Sequence, residues 1–246
     1  MSKSTLALLT LLAGGWVHAA PLLRIVVGSA EPAPFIQHAS TQLSGPVIDL
    51  ARQAAEHCGL NAQFRQLPAR RLLRGLALNQ ADAAAMLSFQ TDRAKQMLYP
   101  MRGGSADSRL RLTALSYVLY VPQDSTLRWD GYRLDLPEDD SVGVNRGWSV
   151  IRVLKARQIP TEAGADLDEN FAKLQAGRIA AFAMHEPGGD AYLAQHPQLR
   201  MKKLLPPLKT ENNYLVFAKA YGQAHPERMR CVWSQLPSLR RQLDLP

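Results

Sequence analysis

The sequence predicts an α/β protein built as a two-lobed clamp, with each lobe a mixed sheet covered by helices and two hinge crossings between the lobes. Three observations predict this fold class. The 246-residue chain is 46% hydrophobic and 20% charged, enough apolar material for two lobes of about 100 residues each. Short apolar runs alternate with amphipathic segments. The alternation restarts in the second half and ends with one late strand.

The first twenty residues predict a secretory signal peptide. Lys3 precedes an apolar run over residues 6–17, and the small residues Ala19 and Ala20 mark the expected cleavage position. The alternative is a membrane anchor, but the run is shorter than the roughly 20 apolar residues that a membrane-spanning helix needs. We therefore expect residues 1–19 to be removed and the mature protein to be soluble in the periplasm.

The first half of the mature chain has the order β-α-β-α-β, which is typical of a parallel sheet covered by helices. Gly45-Pro46 marks the start of the first helix and Gly59 its end. The periodicity predicts strands over residues 22–27, 61–67 and 81–87, and helices over residues 46–55 and 69–78.

A proline-broken loop follows the first strand and ends at Phe35. Ligands of open α/β sheets bind beyond the carboxyl ends of the strands, so this loop is a candidate wall of a binding site. Phe35 is then the expected stacking residue. Ordinary packing in the core is the alternative for this side chain.

The second half repeats the pattern and then returns to the first lobe. The sequence predicts strands over residues 115–121, 141–144, 179–184 and 214–218, and helices over residues 150–157, 170–176, 190–195 and 227–243. Hinge crossings are expected near residues 112–116 and 206–213. Lobe I then comprises residues 20–112 and the return segment 208–246, and lobe II comprises residues 113–207.

The chain carries a net charge of +8, and loss of Lys3 leaves 28 basic against 21 acidic residues, or +7. The basic residues are dispersed among acidic and apolar ones, as on solvated faces, and no basic strand rich in aromatic residues accompanies them. We therefore expect no nucleic-acid partner. A basic surface favours anionic small molecules or an anionic membrane face. We expect no metal and no cofactor, because no motif for either occurs in the sequence.

The chain has two cysteines, Cys58 and Cys231. In an oxidising compartment they could form a disulfide that closes a long loop, worth roughly 4 to 5 kcal/mol in the chain-entropy model. Two buried free thiols are the alternative. No further cysteine or histidine lies at a spacing typical of a metal site.

Several motifs follow one another in the order found in one known family. They are Ala33-Pro34-Phe35, Gly45-Pro46-Val47-Ile48-Asp49-Leu50, Leu78-Asn79-Gln80-Ala81-Asp82-Ala83, Ser88 with Arg93 five residues on, Tyr99-Pro100, residues 142–149, and Leu174-Gln175-Ala176-Gly177-Arg178-Ile179. In this order and spacing the chain resembles the type II periplasmic solute-binding proteins, in particular the polar amino-acid receptors of ABC transporters called solute-binding protein family 3. The resemblance covers essentially the whole mature chain.

The resemblance implies a type II periplasmic-binding fold in which Arg93 clamps the α-carboxylate of a ligand. The planar guanidinium suits this role because it can hold a carboxylate through two parallel hydrogen bonds. Ser88 could add a hydroxyl donor. Gly147, Trp148 and Ser149 precede a predicted helix, where free N–H groups attract anions. The alternatives are a solvated Arg93 and a Ser149 that only caps the helix.

The chain departs from the family pattern at two places that bear on the ligand. Gln90 stands where the family usually has a threonine. His185 stands where the family usually has the aspartate that holds the ligand's ammonium group, and Glu186 follows it. Glu186 could replace the missing carboxylate. His185 could select another group or have no role in binding.

Two functions compete. The first is a receptor, expected to be a monomer, that closes on a small carboxylate-bearing ligand, an amino acid or a related compound, and serves a membrane ABC permease or a sensor. The sequence does not distinguish this receptor from a free-standing sensor or scavenging protein without a transporter. The alternative is a periplasmic enzyme on the same fold, such as a dehydratase of a cyclic carboxylic acid, with His185 and Glu186 as an acid/base pair. We expect binding without catalysis, because no nucleophile elbow and no zinc-protease motif occurs.

Overall fold

The computed structural model of the chain describes residues 19–29, 35–39 and 42–246. Residues 1–18 of the predicted signal peptide and residues 30–34 of the proline-broken loop lie outside the described residues. Within the described ranges, no helix is long and apolar enough to cross a membrane.

The first half of the chain contains the predicted β-α-β-α-β series. Its elements are β1 (Leu22–Gly28), β2 (Gln37–Ala39), β3 (Gln42–Ser44), α1 (Pro46–Glu56), β4 (Asn61–Leu67), α2 (Ala69–Ala77), β5 (Ala83–Ser88), α3 (Thr91–Ala94), β6 (Met97–Leu98), β7 (Met101–Arg102) and β8 (Ser105–Ala106). β1 lies between β4 and β5 and is parallel to both. The small hairpins β2/β3 and β7/β8 were not predicted.

The second half contains every predicted element and adds one strand and the short helix α7. Its elements are β9 (Thr113–Pro122), β10 (Val142–Asn145), α4 (Val150–Ala156), β11 (Thr161–Gly164), α5 (Leu167–Gln175), β12 (Ala181–His185), α6 (Glu186–Gln195), β13 (Met201–Ala218), α7 (Lys219–Ala224) and α8 (Pro226–Gln242). The unpredicted strand is β11, a sheet edge whose first three residues are exposed. Its polar composition explains why no apolar run marked it.

The two predicted crossings are adjacent strands. Residues 113–117 of β9 pair with residues 209–213 of β13 in antiparallel register. Through this pair nine strands form one sheet, whose main order is β11-β10-β12-β9-β13-β5-β1-β4. The α/β clamp is confirmed as the fold class, but the expectation that the lobes would not share a single sheet is corrected. The strands β9 and β13 pair with each other, and they also pair with β12 on one side and β5 on the other.

β13 is much longer than the strand predicted over residues 214–218. It continues through Pro206 and Pro207, where its pairing with β9 is interrupted between Leu204 and Lys209. Proline has no N–H to donate to the ladder, which is the physical reason for the interruption and for the short prediction.

The buried apolar side chains form separate cores. One core draws only on residues 117–208. Two neighbouring cores draw only on residues 23–115 and 214–239. Separate cores on either side of the β9/β13 pair are what a two-lobed fold requires, and the lobe boundaries after residues 112 and 207 stay a prediction.

The C-terminal helix α8 is linked to the first lobe. α1 and α8 pack against each other, and a disulfide joins Cys58, just beyond α1, to Cys231 in α8, with a Cα–Cα distance of 6.0 Å. At the other face, the carboxylate of Asp82 accepts hydrogen bonds from the backbone N–H and the guanidinium of Arg24 in β1. The hydrogen bonds of Asp82 hold β1 next to the start of β5, and the carboxyl ends of these two strands form part of the site.

Candidate functional site

A cavity of about 190 Å³ lies between the two lobes and is referred to below as the cleft. One wall is formed by the carboxyl ends of β1 and β5 and the start of α2, and the other by β9, the turn before α4 and the end of β12. Sites for drug-sized ligands measure about 300 to 1,000 Å³. The cleft therefore suits a smaller molecule.

The structure brings most of the predicted site residues together. The lining of the cleft includes Ser88, Arg93, Gly147, Trp148, Ser149 and His185. Phe35 and Glu186 do not line it. The strand ends that meet here are distant in sequence, and the parallel arrangement of β1 and β5 brings the residues that follow them to one edge of the sheet.

Arg93 spans the cleft from one lobe to the other. Its Nη1 donates to the Ser88 carbonyl at 3.2 Å and to the Ser88 hydroxyl at 3.4 Å. Its Nη2 donates to the Gly147 carbonyl, on the opposite lobe, at 3.2 Å. A guanidinium has five N–H groups, so Arg93 is held in position by both walls and retains donors for a ligand carboxylate.

The end of β5 is irregular where it reaches the cleft. Met86, which lines the cleft, has a φ of 66°, an unusual value for a residue other than glycine. The neighbouring strand β13 shifts register between Tyr214 and Val216. The buried Tyr99 hydroxyl donates to the Ser88 carbonyl at 2.8 Å, and burial raises its pKa to about 12. Tyr99 therefore stays protonated and fixes the strand end next to Arg93.

Gly147 allows the walls of the cleft to approach closely. Its φ is 84°, and a Cβ at this position would lie 3.2 Å from the Cβ of Ala69 at the start of α2. Any other side chain would meet both backbone strain and this contact. A glycine at this position therefore allows the backbone carbonyl of residue 147 to reach the Arg93 guanidinium.

Three rings form the base of the lobe II wall. Trp148 stacks on His185 with a centroid distance of 4.6 Å, and Tyr117 lies 4.1 Å from His185. Burial lowers the pKa of His185 from 6.5 to about 3. His185 is therefore neutral at physiological pH, and the rings present an apolar surface in place of a charge.

Two predicted site residues lie elsewhere. The Glu186 carboxylate is bound by Lys203 Nζ at 2.7 Å, and Asp190 contacts the same Lys203. His185 ends a strand and Glu186 begins a helix, so the second side chain leaves the cleft that the first one faces. Phe35 is 7% exposed and packs in the core of lobe I. Core packing was the alternative to the predicted stacking role.

Ser149 does not cap the helix that it precedes. Its hydroxyl makes no capping bond to α4 and donates instead to the carboxylate of Glu211. Glu211 is 8% exposed and also accepts a hydrogen bond from Lys209 Nζ at 2.8 Å. The Tyr117 hydroxyl lies 3.4 Å from the Ser149 hydroxyl. No pattern in the sequence pointed to Glu211, because only the pairing of β9 with β13 brings it next to Ser149.

The charged side chains lining the cleft are all arginines among the described residues: Arg70, Arg93 and Arg146. Arg70 and Arg146 were not predicted as site residues. A signal existed for each, because Arg70 lies at the start of the helix after β4 and Arg146 directly follows β10. None of the described residues lining the cleft is acidic.

Residues 24–106 match the model of the bacterial extracellular solute-binding proteins, family 3, which confirms the resemblance over that part of the chain. A comparison with curated protein sequences gives no significant match.

Solved structures share the fold over nearly the whole chain. The arginine-bound form of a truncated ArgBP from T. maritima has a TM-score of 0.67 at 20% identity, covering 90% of this chain and 96% of that one. The arginine-, lysine-, histidine-binding protein ArtJ from Geobacillus stearothermophilus has a TM-score of 0.72 at 15% identity, covering 89% and 90%. A histidine kinase sensor domain similar to periplasmic binding proteins has a TM-score of 0.72 at 15% identity, covering 90% and 92%.

Proposed function

We propose that this protein is an exported, monomeric receptor that closes its two lobes on a small carboxylate-bearing ligand, an amino acid or a related compound. It acts in the periplasm and delivers the ligand to an ABC transporter. The observation that carries the proposal is the position of Arg93, whose guanidinium contacts both walls of the cleft. The family match over residues 24–106 and the binding proteins that share the fold support it.

Ligand capture follows from the chemistry of these groups. A carboxylate entering the cleft meets the guanidinium plane of Arg93, where two parallel hydrogen bonds give both affinity and orientation. The Ser88 hydroxyl, already 3.4 Å from the guanidinium, adds a neutral donor. Because Arg93 also binds the Gly147 carbonyl, a ligand held there stabilises the approach of the two lobes.

The enzyme alternative has less support, because its acid/base pair is divided. His185 is neutral and stacked on Trp148, and Glu186 pairs with Lys203. No observation favours a dehydratase over a receptor.

Replacement of Arg93 tests the proposal. In a thermal-shift screen of residues 20–246 against amino acids, keto acids and dicarboxylates, a ligand at about 100 times its Kd adds about 2.7 kcal/mol and raises Tm by several degrees. We expect Arg93→Ala to abolish that shift and Arg93→Lys to restore only part of it, because lysine lacks the planar fork.

The control is Arg71→Ala, an exposed arginine on α2 that does not line the cleft. It should keep the full shift. If Arg93→Ala bound the ligand with wild-type affinity, the carboxylate would bind elsewhere. If the protein converted a bound acid to a product, it would be an enzyme and the receptor proposal would be wrong.

A further inference from the structure

Among the described residues, the charged side chains that line the cleft are all positive. We infer that it selects a small dicarboxylate that lacks an ammonium group, rather than an α-amino acid. This inference rests on the proposed function and names the ligand class of the same site. It is carried by the three arginines, by the charges missing from the described lining, and by the neutral rings of lobe II.

The arginines of the cleft are not neutralised by the protein around them. Arg70 and Arg146 form no salt bridge within the described part of the chain. The pKa of Glu169 is lowered mainly by Lys173, which binds its carboxylate at 2.7 Å, and to a smaller extent by the charge of Arg146. A ligand with one carboxylate on Arg93 therefore leaves positive charge in the cleft, and a second carboxylate would be attracted to it.

The acidic residues next to the cleft are already paired. Glu211 is bound by Lys209 and by the Ser149 hydroxyl, and Glu186 is bound by Lys203. Neither is among the described residues lining the cleft. An ammonium group entering the cleft would lose hydration near the Arg93 guanidinium and gain no anion from the described residues. The exposed Arg70 and Arg146 would add a weaker, solvent-screened repulsion.

The lobe II wall offers a surface for a carbon skeleton. Trp148 and Tyr117 pack against a neutral His185, and Leu72 and Met86 line the opposite side. The volume of about 190 Å³ would hold about six water molecules, which restricts the skeleton to a few carbon atoms. Succinate and glutarate have suitable size and charge.

Matched ligands measure separately the effect of the ammonium group and the effect of the second carboxylate. Isothermal titration of residues 20–246 with glutarate, L-glutamate and pentanoate, and with the shorter set succinate, L-aspartate and butanoate, varies only the ammonium group or the second carboxylate. We expect one of the two diacids to bind about tenfold or more tightly than both its amino-acid and its monoacid counterpart.

Arg70→Gln tests where the second carboxylate binds. It should weaken the preferred diacid about tenfold and change its monoacid counterpart by less than about twofold. The matched control Arg71→Gln, one residue along the same helix and outside the cleft, should change neither. Glu31→Gln, in the segment that the structure does not describe, should leave the preference for the diacid unchanged.

The outcomes distinguish this inference from the proposed function. An amino acid that binds as tightly as its diacid, or a diacid preference that depends on Glu31, overturns the inference and leaves the receptor intact. Equal weakening of diacid and monoacid by Arg70→Gln also overturns it. Absence of binding to every carboxylate overturns the proposed function as well.

Discussion

At the scale of single residues, the cleft depends on side chains whose roles are set by burial rather than by residue type. The sequence predicts that His185 selects a group of the ligand or has no role in binding, and burial holds this side chain neutral. Ser149 has the sequence context of a helix cap, yet its hydroxyl serves Glu211. In both cases a neighbour contributed by another strand decides the role.

The burial of His185 predicts a loss of stability in mild acid. Its pKa is about 3 in the folded chain and 6.5 when exposed, so between these values the unfolded chain binds one more proton than the folded chain. The free energy of unfolding should therefore fall as pH decreases from 6.5 to 4.5, by up to about 1.4 kcal/mol per pH unit. Urea unfolding at several pH values measures this slope.

His185→Phe should reduce the slope, because phenylalanine keeps the stacked ring and cannot bind a proton. His57→Phe, at an exposed histidine that does not line the cleft, controls for the exchange of a histidine for phenylalanine. Equal slopes in wild type and His185→Phe would contradict the assignment of the acid sensitivity to His185.

At the scale of elements, the two lobes meet at the short helices α3 and α4 as well as in the cleft. Arg152 of α4 donates to the carboxylate of Asp92 in α3 at 2.8 Å, and this pair lowers the pKa of Asp92. Both side chains are more than half exposed. An exposed ion pair is weak and screened by salt, so it can assist closure of the cleft without preventing it from opening.

Removal of this pair should weaken ligand binding modestly. On the proposed closure of the lobes, Asp92→Asn is expected to raise the Kd about two- to fivefold at low salt, and the difference from wild type should shrink at high salt. Titrations at two ionic strengths measure both effects. Asp139→Asn, exposed and remote from the cleft lining, is the control. A salt-independent loss would mean that Asp92 acts through something other than this ion pair.

At the scale of the whole molecule, the disulfide links positions separated by 173 residues. It joins the turn after α1 to α8, so the segment it closes contains every strand and helix from β4 to α7. In the chain-entropy model a loop of this length is worth about 5 kcal/mol, because the bond restricts the unfolded chain.

Loss of the disulfide should lower the thermal stability of the whole protein while leaving the site intact. We expect Cys58→Ser/Cys231→Ser to reduce Tm by about 10 °C and to retain ligand affinity, because the bond lies away from the cleft. Calorimetry with and without reductant measures this: wild type should respond to reductant and the variant should not. A wild-type Tm in the variant would contradict the stabilising role.

Most elements could be predicted because local pattern determines them. The apolar run of β1, the amphipathic period of α1 and the glycine after it are visible in the sequence, and the structure agrees with them to within one or two residues. The edge strand β11 and the proline-containing part of β13 could not be predicted in this way. Their residues lack the apolar alternation, and only pairing with β10 and β9 makes them strands.

The sequence by itself determined the α/β order, the position of Arg93 after a buried strand, and the family match that begins at residue 24. These follow from short-range patterns of burial and spacing. Only the tertiary structure decided that Glu186 leaves the cleft and that Glu211 binds Ser149. It also placed Arg70 and Arg146 in the lining of the same cleft as Arg93. Such contacts join strands and helices far apart in the chain, and the charge balance of a cavity is fixed only when those elements pack together.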